Sequence, residues 1–210
     1  MEKLFVSNKN ESVRMFKSNF LELFTKVHWS VPLILYVPVV GYFLYQSYLV
    51  PEVTLIKGTG LFLFGLFMWT ITEYVLHRYI FHYEPDSEFG QWLHFVFHGV
   101  HHDYPNDSNR LVMPPLVSIP LAFFFFYSFS FLLGSELIAP FFAGFVLGYL
   151  AYDMLHYAIH HANFNGRLWM KLKTHHLKHH FKEPNKGFGV STPIWDWVIG
   201  TDFKNSKKNN

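Results

Sequence analysis

At 210 residues the chain needs no more than one domain; half of it is hydrophobic, a fifth is aromatic with 25 Phe, and only 15% is charged. That balance is too apolar for an ordinary soluble domain and points to a membrane protein. A net charge of +2 gives no electrostatic footprint for nucleic acid. With 0 Cys there is no disulfide, thiolate cluster or thiol nucleophile, so any metal must be held by nitrogen and oxygen.

Residues 1–27 mix both signs of charge and lack an uninterrupted apolar core, which excludes a secretory signal. Val13, Phe16, Phe20, Leu23, Phe24 and Val27 recur at helical spacing, with Arg14, Lys17, Glu22 and Lys26 between them. This predicts an amphipathic helix over 13–27, lying on the membrane surface ahead of an interfacial His28-Trp29. Four apolar stretches follow, at about 30–50, 58–77, 112–134 and 137–160, each long enough to cross a bilayer. The last two are joined only by Ser135-Glu136 and so form a tight helical hairpin. The expected fold is an all-α integral membrane protein with four transmembrane helices. Residues 78–111 and 161–204 form a cap, 1–29 an N-terminal tail and 205–210 a disordered basic end. Within that end, Lys207-Lys208-Asn209-Asn210 resembles a di-lysine retrieval signal.

Charge orients this topology. Five Lys/Arg precede the first span, Arg78 and Arg110 lie between the second and third, and nine follow the fourth. Only Lys57 falls on the opposite side. The positive-inside rule therefore places both termini and the cap in the cytosol.

The cap and the span ends carry histidine in four clusters: His77-x4-His82, His98-x2-His101-His102, His156-x3-His160-His161 and His176-x2-His179-His180, with His175 abutting the last. Residues three or four apart share a helix face. His98 with His101 and His102, His156 with His160, and His176 with His179 and His180 can each converge. His77 and His82, five apart, lie about 140° round an ideal helix and converge only if the helix bends. So many imidazoles exceed one ion's needs and the four ligands of a closed zinc site, which predicts two ions with about five nitrogens each. His94 reads as a surface or satisfied core residue. His161 and His175, beside better-spaced neighbours, are expected to orient a ligand or face substrate. Glu73 and Asp153, one turn before His77 and His156, are costly near a membrane without a role. With Asp103 and Asp196 they are candidates to accept a ligand's second N–H or to bind a metal directly.

The stretches HRYIFH (77–82), HGVHHDYP (98–105), RLVMPP (110–115), YDMLHYAIH (152–160), HLKHH (176–180) and GFGVST (187–192) resemble fatty acid 2-hydroxylase, within the fatty acid hydroxylase/sterol desaturase superfamily. The resemblance covers about 65–201. The histidine series indicates the superfamily; HGVHHDYP and RLVMPP narrow it to the 2-hydroxylase branch. It implies a fatty acid hydroxylase domain over 30–204 and a membrane-bound dimetal monooxygenase with His77, His82, His98, His101, His102, His156, His160, His176, His179 and His180 as ligands. His77 and His82 rest mainly on this likeness. Also implied are two iron ions, with zinc competing for the site in purified material, O2, and a lipid acyl substrate hydroxylated at carbon 2. Many eukaryotic members carry a fused cytochrome b5 domain, for which this chain has no room before Ser30. A separate electron donor, cytochrome b5-like or ferredoxin-like, is therefore expected. The membrane would be the endoplasmic reticulum in a eukaryote or the inner membrane in a bacterium. Tyr104, Asn106, Asp107, Arg110 and Lys186 are candidates to orient the lipid head group. Competing readings are another superfamily chemistry, on sterols, carotenoids or ether lipids, and a non-catalytic metal-binding or transport protein. Transporters, however, place their ligands near mid-membrane.

Overall fold

The computed structural model describes residues 4–203, all-helical among the described residues. The 205–210 tail, with its di-lysine resemblance, lies outside them. Four helices are long and apolar enough to cross a membrane: α2 (Ser30–Leu49), α3 (Leu55–Val75) with its continuation to Phe81, α6 (Pro115–Leu133) and α7 (Ile138–His161). The short helices are α1 (Asn19–Leu23), α4 (Glu88–His94), α5 (Val100–Asp103), α8 (Arg167–Phe181) and α9 (Ile194–Ile199).

The spans are not equivalent. Along its most apolar window α7 is 78% buried, against 11%, 11% and 6% for α2, α3 and α6. So α7 is the core, and the other three wrap it while keeping apolar faces outward, as lipid requires. Phe141, Phe142, Phe145, Val146 and Tyr149 of α7 pack with Trp69 of α3 and Tyr36 and Val40 of α2. With no hydrophobic drive between helices in lipid, close packing must supply the association. It does so at two glycines. A β-carbon on Gly65 would fall 2.0 Å from the Phe141 carbonyl oxygen, and one on Gly144 would fall 2.0 Å from that of Phe62. The α3 and α7 backbones therefore touch, which fixes the height of one helix end against the other.

The helix expected over 13–27 shrinks to Asn19–Leu23. Side chains consume the backbone groups that a longer helix would need. The Glu22 carboxylate accepts the N–H groups of Met15 and Phe16 at 2.9 and 3.0 Å, and Arg14 folds back onto the carbonyls of Phe16 and Lys17. Ser18 caps α1 instead. The preceding chain lies along the 103–110 loop. Val6 and Ser7 donate to the Asp103 carbonyl, Asn106 to Asn8, Ser12 to Asp107, and Arg110 to Glu22. This N-terminal arm packs on the cap.

Gly144→Ala should cost about 1–3 kcal/mol through overpacking, lowering the thermal midpoint in detergent. Gly60→Ala, with nothing within 4 Å of the added carbon, should change the midpoint little and serves as the control.

Candidate metal centre

The site begins where α3 leaves the apolar bundle. Its α-helical turns give way to a π-helical stretch over Leu76–Phe81, and the His82 N–H donates to the His77 carbonyl at 3.1 Å. A π-turn spans five residues where an α-turn spans four. The gap that separates His77 from His82 on an ideal helix here places them on one face, ring centres 5.0 Å apart. A second π-helical stretch, Phe95–Gly99, joins α4 to α5 and delivers His98. α7 supplies His156 and His160 from its final turns, and α8 supplies His176, His179 and His180.

Ten imidazoles meet in two groups. His77, His82, His98, His102 and His179 form one; His101, His156, His160, His176 and His180 form the other. Within each group the candidate ligand atoms all lie within 4.8 Å of one another. Nε2–Nε2 separations are 3.1 Å for His77–His98, 3.2 Å for His82–His98 and 3.1 Å for His98–His102. In the second group they are 2.9 Å for His101–His156, 3.2 Å for His160–His176 and 3.0 Å for His176–His180. The groups abut, with the His102 ring stacked 4.3 Å from that of His180.

Desolvation is the first cause holding His82, His98, His101, His102, His176, His179 and His180 far below the usual histidine pKa, and neighbouring imidazoles add to it. These rings are neutral at physiological pH, the form that binds metal. Backbone carbonyls then fix which nitrogen faces inward. Nδ1–H of His77 donates to Phe188 O at 2.5 Å, that of His156 to Leu111 O at 3.1 Å and that of His179 to Lys186 O at 2.7 Å. Their Nε2 lone pairs converge on the group centres, and that of His179 has no hydrogen-bond partner among the described residues. Converging lone pairs repel unless a cation sits among them. Nitrogens about 2.1 Å from one ion and at right angles to one another lie about 3.0 Å apart, as these do. Each group could hold a metal ion.

The carboxylates do not touch the ligand histidines, contrary to their expected role. They grip backbone instead, and for His77, His156 and His179 a carbonyl takes the Nδ1 position. Glu73 accepts the N–H groups of Val190 and Ser191 at 2.7 and 2.8 Å, and also the Ser191 hydroxyl. Asp196 accepts the N–H groups of Phe188 and Gly189, the Thr201 hydroxyl, and His175 Nε2–H at 3.0 Å. Burial pushes Asp196 up, but the hydrogen bonds from His175, Thr201 and Gly189 outweigh it and hold the carboxyl below its usual range. Together Glu73 and Asp196 clamp the loop whose Phe188 carbonyl orients His77. Gly187 starts this loop at φ 73°, where an added β-carbon would also lie 2.5 Å from Phe203. Asp153 repeats the device on α7. It holds the Met113 N–H and the Tyr149 hydroxyl, two residues from the Leu111 carbonyl that orients His156. Asp103 contributes its backbone carbonyl to the arm. His161 stacks on Tyr157, and His94 stands outside both groups.

A largely apolar cavity of about 170 Å³ reaches His98, His101 and His156. Its walls include Met15, Phe16, Phe24, Phe97, Met113 and Leu116, so both arm and span residues line it. Of the five expected head-group residues only Arg110 lines it. Asn106 is tied to Asn8, Asp107 to Ser12 and Arg110, and Lys186 to Glu183; Tyr104 is not in the wall. The arm accounts for the first two corrections, since it takes the groups left for substrate. Arg110 is pinned by Glu22 at 2.8 Å and Asp107 at 3.3 Å, yet its buried Nε–H has no partner among the described residues.

Four helices able to cross a membrane, capped by two adjacent five-histidine groups that could each hold a metal ion, define the class of protein. The sequence profile of the fatty acid hydroxylase family matches residues 62–201. The chain belongs to this family. It is 38% identical to a fatty acid 2-hydroxylase of Rattus norvegicus over 90% of this chain and 56% of that protein. It is 40% identical to a dihydroceramide fatty acyl 2-hydroxylase of Arabidopsis thaliana over 91% of this chain and 80% of that one. A solved structure described as full-length scs7p, with only the hydroxylase domain visible, superposes with a TM-score of 0.82 at 38% identity, covering 88% of this chain and 70% of that chain. The chain thus spans about half the length of the mammalian relatives it matches.

Glu73→Ala removes the acceptor of the Val190 and Ser191 N–H groups and of the Ser191 hydroxyl. Metal affinity of the His77 group should fall about 10–100-fold while the His156 group is spared. Chelator competition should then leave one tightly held ion per chain; retention of two would refute the relay.

Proposed function

We propose that the chain is a monooxygenase that hydroxylates carbon 2 of a long fatty acyl chain, free or sphingolipid-linked, using O2 and two electrons from a separate donor. The observation that carries this is the apolar cavity ending on His98, His101 and His156 beside Arg110. The ten clustered histidines are the ligands of two iron ions, and zinc competes for the same nitrogens when the protein is purified. When bound, the ions supply the redox chemistry that reduces O2 and places one oxygen atom in a C–H bond.

The chain's own residues determine which bond is met. Met15, Phe16, Phe24, Phe97, Met113 and Leu116 take the acyl chain and exclude water. Arg110 meets the other end, its free Nε–H directed to the carboxyl or amide oxygen of the head group. That guanidinium is one residue from Leu111, whose carbonyl holds His156. A head group fixed at Arg110 therefore leaves the next carbon against the histidine wall, which favours position 2 over mid-chain positions. The fit of an apolar chain with one polar end also separates this reading from metal transport. The excess of basic residues on one side supports a cytosolic cap, at the endoplasmic reticulum in a eukaryote or the inner membrane in a bacterium.

Expression of the wild type in a lipid-producing host should yield 2-hydroxy fatty acids by mass spectrometry. His179→Ala, at equal abundance, should reduce them to background. Equal product levels would sink the assignment. Arg110→Met removes a hydrogen bond from a charged donor, worth about 1.5–3 kcal/mol, and should lower kcat/KM by about 10-fold or more. It should also spread hydroxylation to other carbons; an unchanged position 2 preference would place head-group recognition elsewhere.

A further inference from the structure

On the hydroxylase reading, each turnover consumes R–H, O2, two electrons and two protons and releases R–OH and water. The electrons must reach buried metal groups from outside the bundle. The α8 helix has the two faces that such delivery needs. At 3.6 residues per turn, His176, His179 and His180 point inward, while Arg167, Lys171 and Lys178 fall within about 40° of one another on the opposite side, with Lys182 directly after the helix end. The histidines are buried and all four basic residues are exposed. No carboxylate pairs with any of the four among the described residues. Glu183, next along the chain, is occupied by Lys186 at 3.0 Å. Arg167, Lys171, Lys178, His175 and Phe203 line a shallow open groove, with Lys178 Nζ 5.6 Å from the centre of the Phe203 ring.

We infer that this basic face of α8 docks an acidic one-electron carrier protein, which delivers the two electrons of the reaction in two successive encounters. The inward face of α8 meets His77, His156 and His160 at the ends of the spans. Its outward face is therefore turned away from the span ends, which favours a soluble partner over membrane head groups. The helix itself is about 10 Å across, so a carrier seated on the groove is separated from the histidines by one helix. Each encounter takes the carrier from its reduced to its oxidised form and passes one electron inward; no bond to the carrier is made. Unpaired basic charge facing acidic charge accelerates encounter and makes it salt-dependent.

The test uses the full chain in detergent with its metals. Two acidic probes, the soluble haem domain of cytochrome b5 and a plant-type ferredoxin, are each supplied reduced with substrate and O2. With the faster probe, Lys171→Glu/Lys178→Glu should slow probe reoxidation at least 10-fold at low salt and flatten its salt dependence. Arg167→Glu/Lys182→Glu should do the same independently. Product formed with dithionite as a small reductant should match wild type in both variants, and so should metal content. Unchanged probe reoxidation in both variants overturns the docking site. Weakened binding to anionic vesicles with unchanged probe rates overturns it in favour of a lipid contact. A wild type that makes no hydroxy product with dithionite overturns the hydroxylase reading, and the docking site with it.

Discussion

Ten neutral imidazoles packed with their nitrogens about one hydrogen bond apart are the constraint on which the rest of this structure depends. A buried polar group without a partner is costly, and here rings crowd together with lone pairs turned towards a common centre. Three of the participants, on three different elements, are oriented from behind by backbone. Carbonyls of Phe188, Leu111 and Lys186 set the rings of His77, His156 and His179. Carboxylates set the segments bearing two of those carbonyls: Glu73 and Asp196 grip the loop around Phe188, and Asp153 grips Met113 near Leu111. Glu73 and Asp153 each stand about one turn before the histidine they serve, on neighbouring spans. The same solution is built twice, once per metal group.

The two groups are not independent modules. α5 and the turn before it send His98 and His102 to one group and His101 to the other; α8 sends His179 to the first and His176 and His180 to the second. A shift or rotation of either helix disturbs both. The heights of α3 and α7, which bring His77 and His156 to the site, are set by the backbone contacts at Gly65 and Gly144. Packing deep in the apolar bundle therefore decides whether imidazoles at its end meet within a few tenths of an ångström. Interleaving keeps the two centres adjacent, a requirement for chemistry that uses both.

Much of this was readable before any coordinates. Apolar length marks all four spans, and three- and four-residue spacing marks eight histidines, because both signals follow directly from a regular helix; the spacing does not reveal that His101 parts from His98 and His102, and His179 from His176 and His180, to serve the other group. Where the backbone departs from 3.6 residues per turn the reading weakened. The five-residue gap between His77 and His82 is bridged by a π-turn that periodicity does not announce. The arm departs from its periodicity for a related reason: Val13, Phe16 and Phe20 have helical spacing, but Glu22 takes the N–H groups of Met15 and Phe16, while Ser12 and Asn8 find partners nearly a hundred residues away. Backbone carbonyls leave no mark in a sequence at all, so the places of Glu73 and Asp153 one turn before a histidine are legible while their grip on backbone N–H groups is not. GFGVST, at 187–192, carried the one usable trace of the clamp in Gly187.

On the proposed reading, the asymmetry around the metal groups follows from what they must receive. An acyl chain is insoluble and arrives from the apolar side, where Phe97, Met113 and Leu116 line the cavity. Electrons arrive on a soluble carrier and need charge rather than apolar surface, which α8 presents on the face turned from the spans. A single helix serves both ends of this division, since the turns that aim His176, His179 and His180 at the metals necessarily aim Lys171 and Lys178 away from them. Separating the two entrances keeps the cavity dry while leaving the metals one helix from solvent. A site with one shared opening would have to admit water beside the substrate each time its carrier docked.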